Sequence, residues 1–211
     1  MLSGLHDGLN GDGLPDMLNA FEIAALVYDD GVSVDELMGY FAGELRDQGR
    51  AIGGIVQLPP EEEGSLSKVL RIYDLMTGDV IGIKQRLGSG SAACSLDTQA
   101  LAEGASRVRR AIDEKVDLIF ISKFSKQEIA GQGFRQEFGA AVAAGIPILT
   151  SVKRPLVDDW LRFTGGIGTL LSCRLRVVRD WWQETDARRM KVMAMRRQPA
   201  SNVIRLFDRV S

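Results

Sequence analysis

The chain has 211 residues, 45% hydrophobic and 26% charged, with a formal net charge of −2. That length buries the core of one domain without staples, and the composition excludes collagen, coiled-coil arrays and wholesale disorder. No apolar run approaches the roughly 18–20 residues that span a bilayer, so no membrane partner is expected. No basic start followed by an apolar core marks a signal peptide, which points to the cytosol. Cys94 and Cys173 cannot form a disulfide framework and fit a reducing compartment. The single histidine, His6, leaves no basis for a histidine triad or a histidine zinc site, and no metal centre is expected.

Residues 1–20 read as a flexible polar leader rich in Gly, Asp and Asn. Its Asn10-Gly11-Asp12-Gly13 stretch lacks the acid at Gly8 and the glutamate at Asn19 that a calcium loop requires. Ile23-Ala24-Ala25-Leu26-Val27 is a short apolar run of the kind that forms a strand buried on both faces. Ser33 with Glu36 three residues later predicts a capping box. The helix it opens carries Leu37, Tyr40, Phe41 and Leu45 at helical spacing and stops at Gly49. A second strand follows at Ile52-Gly53-Gly54-Ile55-Val56. Strand, helix, strand predicts a parallel pair with a right-handed crossover.

Residues 58–67 read as an exposed turn, and residues 69–75 and 80–84 as a hairpin around Thr77-Gly78-Asp79. After the Gly/Ser loop at 88–91, Asp97 or Thr98 caps a helix through Leu101, Ala105, Val108 and Ile112. Residues 117–121 form a third buried strand and 146–150 a fourth. Between them Phe134, Phe138, Ala141 and Val142 mark one helical face. The alternation gives a three-layer α/β domain with a mostly parallel sheet and an inserted β-hairpin, bounded at residues 21–185. Residues 186–211 form a basic tail, in which seven Lys/Arg against Asp186 and Asp208 give a local net charge near +5. The tail is either a solvated helix or a contact surface for an acidic partner. Nucleic acid is an unlikely partner because no binding motif accompanies the charge. Trp181 and Trp182 cannot share one helix face, so either both close the core or one faces a partner.

Ligands of open α/β sheets sit beyond the carboxyl ends of the strands. The first strand delivers Asp29, Asp30 and Gly31 there, with Asp35 and Glu36 at the start of the next helix. A P-loop needs several glycines, a lysine and a Ser/Thr for magnesium, and this loop has one glycine, no lysine and four carboxylates around it. The acids either solvate the helix N-terminus or hold a cation, amine or hydroxyl. The third strand brings Lys123, Lys126 and Glu128 to the same edge, with Arg135 as a further charge, and the second strand brings Gln57. Such a set either holds a small oxyanion or phosphate, or forms an ion-paired turn, for instance Lys123 with Asp29 or Lys126 with Glu128. Cys94 and Cys173 read as small hydrophobes or, with partners supplied by the fold, soft-metal ligands.

Four stretches, taken together and in order, resemble a bacterial domain family of unknown function whose members are often labelled molybdenum-transport ATP-binding-like. They are Ile52-Gly53-Gly54-Ile55-Val56-Gln57, Ile72-Tyr73-Asp74-Leu75-Met76-Thr77-Gly78, Ser122-Lys123-Phe124-Ser125-Lys126-Gln127-Glu128 and Trp160-Leu161-Arg162-Phe163-Thr164-Gly165-Gly166. That family is similar to the small P-loop nucleoside-triphosphatases first described in thermophiles, which implies a P-loop-like fold. In those enzymes an Asp-Glu-Ile-Gly-Lys-Met-Glu motif follows the Walker B strand. Here Lys126 and Glu128 match it, and Ser122 and Lys123 replace its acidic pair. The Walker A place is held by Asp29-Asp30-Gly31-Val32-Ser33.

The expected function is a degenerate P-loop-like domain that binds a small ligand without ordinary triphosphate hydrolysis. The ligand is an oxyanion such as molybdate or a nucleotide-derived cofactor, and the sequence does not choose between them. Its expected contacts are Asp29, Asp30, Gln57, Lys123, Lys126 and Glu128. The alternatives are an adaptor acting on a protein partner through residues 186–211, and a nucleoside triphosphatase using unconventional residues.

Overall fold

Apolar runs too short for helices become the centre of the sheet. The computed structural model describes residues 23–59, 69–86, 95–96 and 98–197. Its strands are β1 (Ile23–Tyr28), β2 (Ile52–Gln57), β3 (Val69–Asp74), β4 (Val80–Arg86), β5 (Ser95–Leu96), β6 (Leu118–Phe124), β7 (Ile148–Lys153) and β8 (Thr169–Ser172). The helices are α1 (Val34–Asp47), α2 (Thr98–Asp113), α3 (Lys126–Ile129), α4 (Arg135–Ala143), α5 (Val157–Phe163) and α6 (Leu175–Arg197). The leader with its Asn10-Gly11-Asp12-Gly13 stretch, the Gly/Ser loop at 88–91, Cys94, Asp97 and the end of the basic tail lie outside the described residues.

The sheet order is β5-β4-β3-β2-β6-β7-β1-β8. From β2 to β8 all neighbours run parallel, while the β3–β4 hairpin and β5 extend the sheet antiparallel beyond β2. The inserted hairpin is therefore a continuation of the sheet rather than a separate lobe. The chain leaves β1, passes through α1 and returns at β2, skipping the positions of β7 and β6. That jump leaves the carboxyl ends of β1, β7 and β6 side by side, in the crevice where open α/β sheets bind ligands.

Alternating side chains of the central strands feed two cores. Ala25, Ile119, Ile121, Ile148 and Val152 face Val108, Phe138 and Trp160, from α2, α4 and α5. Leu26, Phe120 and Leu149 face Met38, Phe41 and Leu45 of α1 and Val178, Trp181 and Trp182 of α6. These strands are apolar on both faces because helices cover both, as parallel sheets require. Both adjacent tryptophans are buried, which settles the alternatives in favour of core closure.

Some local expectations change. Ser33 is the N-cap of α1, but its side chain makes no capping hydrogen bond, so the capping box expected there does not form. Tyr40, at helical spacing with the core residues, is 60% exposed, and Val34 and Met38 supply the burial instead. The helix ends before Gly49, whose φ of +75° suits the stop. The third and fourth strands run on to Phe124 and Lys153, past the ends of their apolar runs. α6 crosses residues 185–186 without a break, so the first part of the basic segment belongs to the helix that closes the second core.

Gly54 stands opposite Phe120 in the β2–β6 ladder, at φ +92°. A Cβ there would lie 2.1 Å from the Phe120 carbonyl oxygen, which no side-chain rotation relieves. Gly54→Ala is expected to lower stability by about 3 kcal/mol or more, as a shifted midpoint in urea unfolding. Gly39→Ala, in α1 with nothing within 4 Å of the new Cβ, should instead stabilise by about 0.5–1 kcal/mol in the same assay.

Candidate functional site

The crevice is tied across by charge. β1 ends in half-buried Tyr28 and passes into Asp29, Asp30, Gly31, Val32 and Ser33 before α1 begins. Asp29 receives both Nε and an Nη of Arg154, the Nη at 2.7 Å from Oδ2. Asp30 Oδ1 meets Lys153 Nζ at 2.6 Å. Asp35, in the first turn of α1, pairs with Lys123 at 2.9 Å, and their side chains are only 13% and 19% exposed. Three acids of the first loop and helix thus engage three cations from the ends of β6 and β7. The same Lys123 ammonium sits 5.2 Å from the centre of the Tyr28 ring, a cation–π distance.

These contacts set the local titration. The Arg154 hydrogen bond holds the Asp29 carboxyl below its usual value, outweighing the small loss of solvent. Burial pushes the Tyr28 phenol up, and the nearby Asp35 and Asp30 charges add to it. Burial likewise raises the Cys173 thiol, whose Sγ donates to the Val27 carbonyl at 3.2 Å. That neighbourhood gives Cys173 a packing role. Among the described residues no cluster of three or more His, Cys, Asp or Glu side chains could hold a metal ion.

β6 reaches the site through an irregularity: its register with β7 shifts between Ile121 and Phe124, where Ser122 and Lys123 are joined by a cis peptide. Bulges of this kind re-aim side chains at the end of a strand. Thr150 Oγ1 donates to the Ile121 carbonyl at 2.5 Å and holds the two strands together there. Beyond Phe124 the chain enters α3 through a capping box. Ser125 Oγ accepts from the Gln127 amide, while Glu128 Oε2 accepts from the Ser125 amide at 2.8 Å and its hydroxyl at 2.7 Å. The other Glu128 oxygen accepts from the Phe134 amide at 3.0 Å. Glu128 is 2% exposed, and both of its oxygens serve the backbone. A Cβ on Gly133, at φ +60°, would stand 2.1 Å from Glu128 Oε1, so the following loop closes on this carboxylate only with glycine there.

Beneath α3 lies a cavity of about 530 Å³. Gln57, Lys123, Lys126 and Glu128 line it together, so four of the six expected site residues meet at one place. Asp29 and Asp30 are not among its lining; they stand beside it, bound to Arg154 and Lys153. Neither ion pair suggested for the turn is found: Lys123 pairs with Asp35 instead of Asp29, and the Glu128 oxygens are taken by Ser125 and Phe134. Lys126 is exposed and has no carboxylate partner among the described residues. Arg135 turns away, donating to the Glu128 carbonyl and lying over Phe163. Ile72, Ile83, Leu101, Phe124 and Phe134 give the cavity apolar walls.

Lys153 and Arg154 were absent from the expected site. Their signal is positional: they stand a few residues after the fourth apolar run, at the carboxyl end of β7 and just beyond it, beside Asp29 and Asp30. The capping role of Glu128 was also legible, as a Ser-x-x-Glu spacing from Ser125.

Residues 23–181 match the family described as protein of unknown function (DUF2478). The chain belongs to this family. Over 166 residues it is 46% identical to the molybdenum import ATP-binding protein ModC 2 of Bradyrhizobium diazoefficiens, a match covering 79% of this chain. It spans only 18% of that relative's length. Among solved structures it resembles a human cancer-related nucleoside triphosphatase, with a TM-score of 0.54 and 17% identity. That match covers 71% of this chain and 87% of the other. The fold is thus of the nucleoside-triphosphatase, P-loop-like type.

Glu128→Gln keeps the shape of the cap but sets an amide NH2 against a donor. It should cost about 2–3 kcal/mol in urea unfolding and speed hydrogen exchange at the Phe134 amide. For Asp29 the folded pKa lies below the usual 3.8, so its pairing stabilises above that pH and is lost as pH falls through the lower folded value. A carboxyl-carbon NMR titration should show the lowered midpoint, and Arg154→Ala should return it to the ordinary range.

Proposed function

We propose that this chain is a ligand-binding member of the P-loop-like class that does not hydrolyse triphosphates by the P-loop route, and that it holds a small anion in the lysine-lined cavity beneath α3. The observation that supports this most directly is the set of ion pairs Asp29–Arg154, Asp30–Lys153 and Asp35–Lys123. A polyphosphate cradled at the start of α1 would meet these carboxylates where a P-loop offers amide N–H groups and a lysine. The cations that could answer it are already engaged. The neighbouring cavity differs in holding Lys126, which has no carboxylate partner among the described residues; Lys123 and Lys153 line it while paired with Asp35 and Asp30, and the oxygens of Glu128 are committed to Ser125 and Phe134.

The size of the cavity bears on what it takes. About 530 Å³ is well within the range of small-molecule sites, and many times the ~30 Å³ share of one water. A bare tetrahedral oxyanion, the ligand that the name of the Bradyrhizobium relative suggests first, would fill a small part of it. The apolar walls favour an organic anion, of which a nucleotide-derived compound is the reference case. Lys126 is its first contact, Gln57 supplies an amide from β2, and Lys123 positions the rim through Asp35 and Tyr28.

Calorimetric titration with molybdate, tungstate, inorganic phosphate and ATP with magnesium tests the proposal. At least one of them should bind, with no release of phosphate from ATP. Lys126→Ala should weaken binding by about tenfold, the value of one charge-assisted hydrogen bond. Asp30→Asn frees Lys153 and should strengthen it by a few-fold, on the order of one exposed ion pair. Absence of heat with every anion would count against the proposal, and phosphate release abolished by Lys123→Ala would replace it with an enzyme.

A further inference from the structure

A second cavity, of about 600 Å³, opens between α2 and the loop that joins α3 to α4. Leu101, Gln127 and Gly133 line both this cavity and the lysine-lined one, so the two meet at a shared waist. Gly133 is the residue that no side chain can replace without striking Glu128, and its bareness keeps the waist clear. The floor on the far side is Ala102 and Ala105 of α2, whose small side chains leave the depth open.

The chemistry changes across the waist. On the far side the charged groups are satisfied within the protein: Arg109 binds Glu137 and Gln136, and Arg135 donates to the Glu128 carbonyl. What remains for a ligand is neutral. Gln127 and Gln132 have no side-chain partner among the described residues, and each offers one carbonyl acceptor and an NH2 donor. On the near side Lys126 is the corresponding unengaged group, and it is cationic. A cation at one end and two free amides toward the other call for a ligand that is anionic at one end and carries neutral donors and acceptors along its body.

We infer that the two cavities form one cleft, which takes an elongated phosphorylated ligand with its phosphate at Lys126 and a hydrogen-bonding heterocycle beyond the Gly133 waist, against Gln127 and Gln132. The inference rests on the anion-binding reading given above and adds to it the second half of the ligand. It also sets the direction of the ligand, running from the β6 end outward between α2 and α4 rather than back toward the β1–α1 loop.

The test is calorimetry on the full chain with inorganic phosphate, ribose 5-phosphate and the four nucleoside monophosphates AMP, GMP, CMP and UMP. At least one monophosphate should bind about tenfold or more tightly than ribose 5-phosphate, as two added neutral hydrogen bonds and a buried ring would give. The Gln127→Ala/Gln132→Ala double variant should cut that advantage to about threefold or less while leaving ribose 5-phosphate affinity within about twofold. Ala102→Tyr, a surface change on α2 that fills the far cavity, should do the same and stands in if the double variant does not fold. Equal affinity for ribose 5-phosphate and every nucleotide would overturn the two-part cleft while leaving the anion site in place. An advantage that survives both variants would overturn it as well, by putting the heterocycle elsewhere. No binding of any phosphate would overturn the cleft, and only the further absence of heat with molybdate and tungstate would remove the anion site as well.

Discussion

Opposite charges fastened across the strand ends tie the first loop and α1 to the ends of β6 and β7. A P-loop works because a ring of backbone N–H groups and a lysine present concentrated positive potential to a polyphosphate. In this chain the same position carries carboxylates, and the ends of β6 and β7 carry the lysines and arginine that answer them. The Asp35–Lys123 pair is the least exposed of the three and is backed by the Tyr28 ring, which places it nearest the protein interior. An exposed ion pair contributes little stability by itself. Its importance here is one of occupancy, since the protein's own carboxylates engage Lys123, Lys153 and Arg154 at the strand ends.

Much of the architecture was legible in the amino-acid order because the strongest signals were the ones that packing obeys. The runs at 23–27, 52–56, 117–121 and 146–150 are mostly apolar without alternation, and each supplies a parallel strand covered on both faces. The hairpin at Thr77-Gly78-Asp79 was equally plain from its turn residues. Strand ends were less legible, because Ser122-Lys123 and Ser151-Val152-Lys153 lose hydrophobicity where the sheet meets the crevice. That loss hid Lys153 and Arg154 from the site. Glu128 shows a second kind of difficulty: a carboxylate beside two lysines looks like chemistry, whereas its spacing from Ser125 made it a cap. Helical spacing could not tell the exposed side of Tyr40 from the buried side of Met38, which depends on how α1 is turned against the sheet.

The chain shares its fold with proteins of quite different length and name. At 17% identity to a nucleoside triphosphatase, the likeness is one of backbone path, and folds of this kind host many functions. The 46% identity to a molybdenum import ATP-binding protein is much closer, but the match spans 18% of that protein, so its name describes a far longer chain. What the two share at that identity is the scaffold that positions the crevice.

The tryptophans offer an unplanned optical division of the molecule. All three indoles of the chain are buried, Trp160 among Phe124, Phe138 and Phe163 on one side of the sheet, and Trp181 with Trp182 on the other. Phe124 also forms a wall of the lysine-lined cavity, so Trp160 borders that wall through an edge-on ring contact. The paired indoles of α6 report on the opposite layer. With Trp160 replaced by Phe, the remaining indole fluorescence would follow that opposite layer alone during unfolding, and its difference from the unsubstituted chain would isolate the layer that holds Trp160.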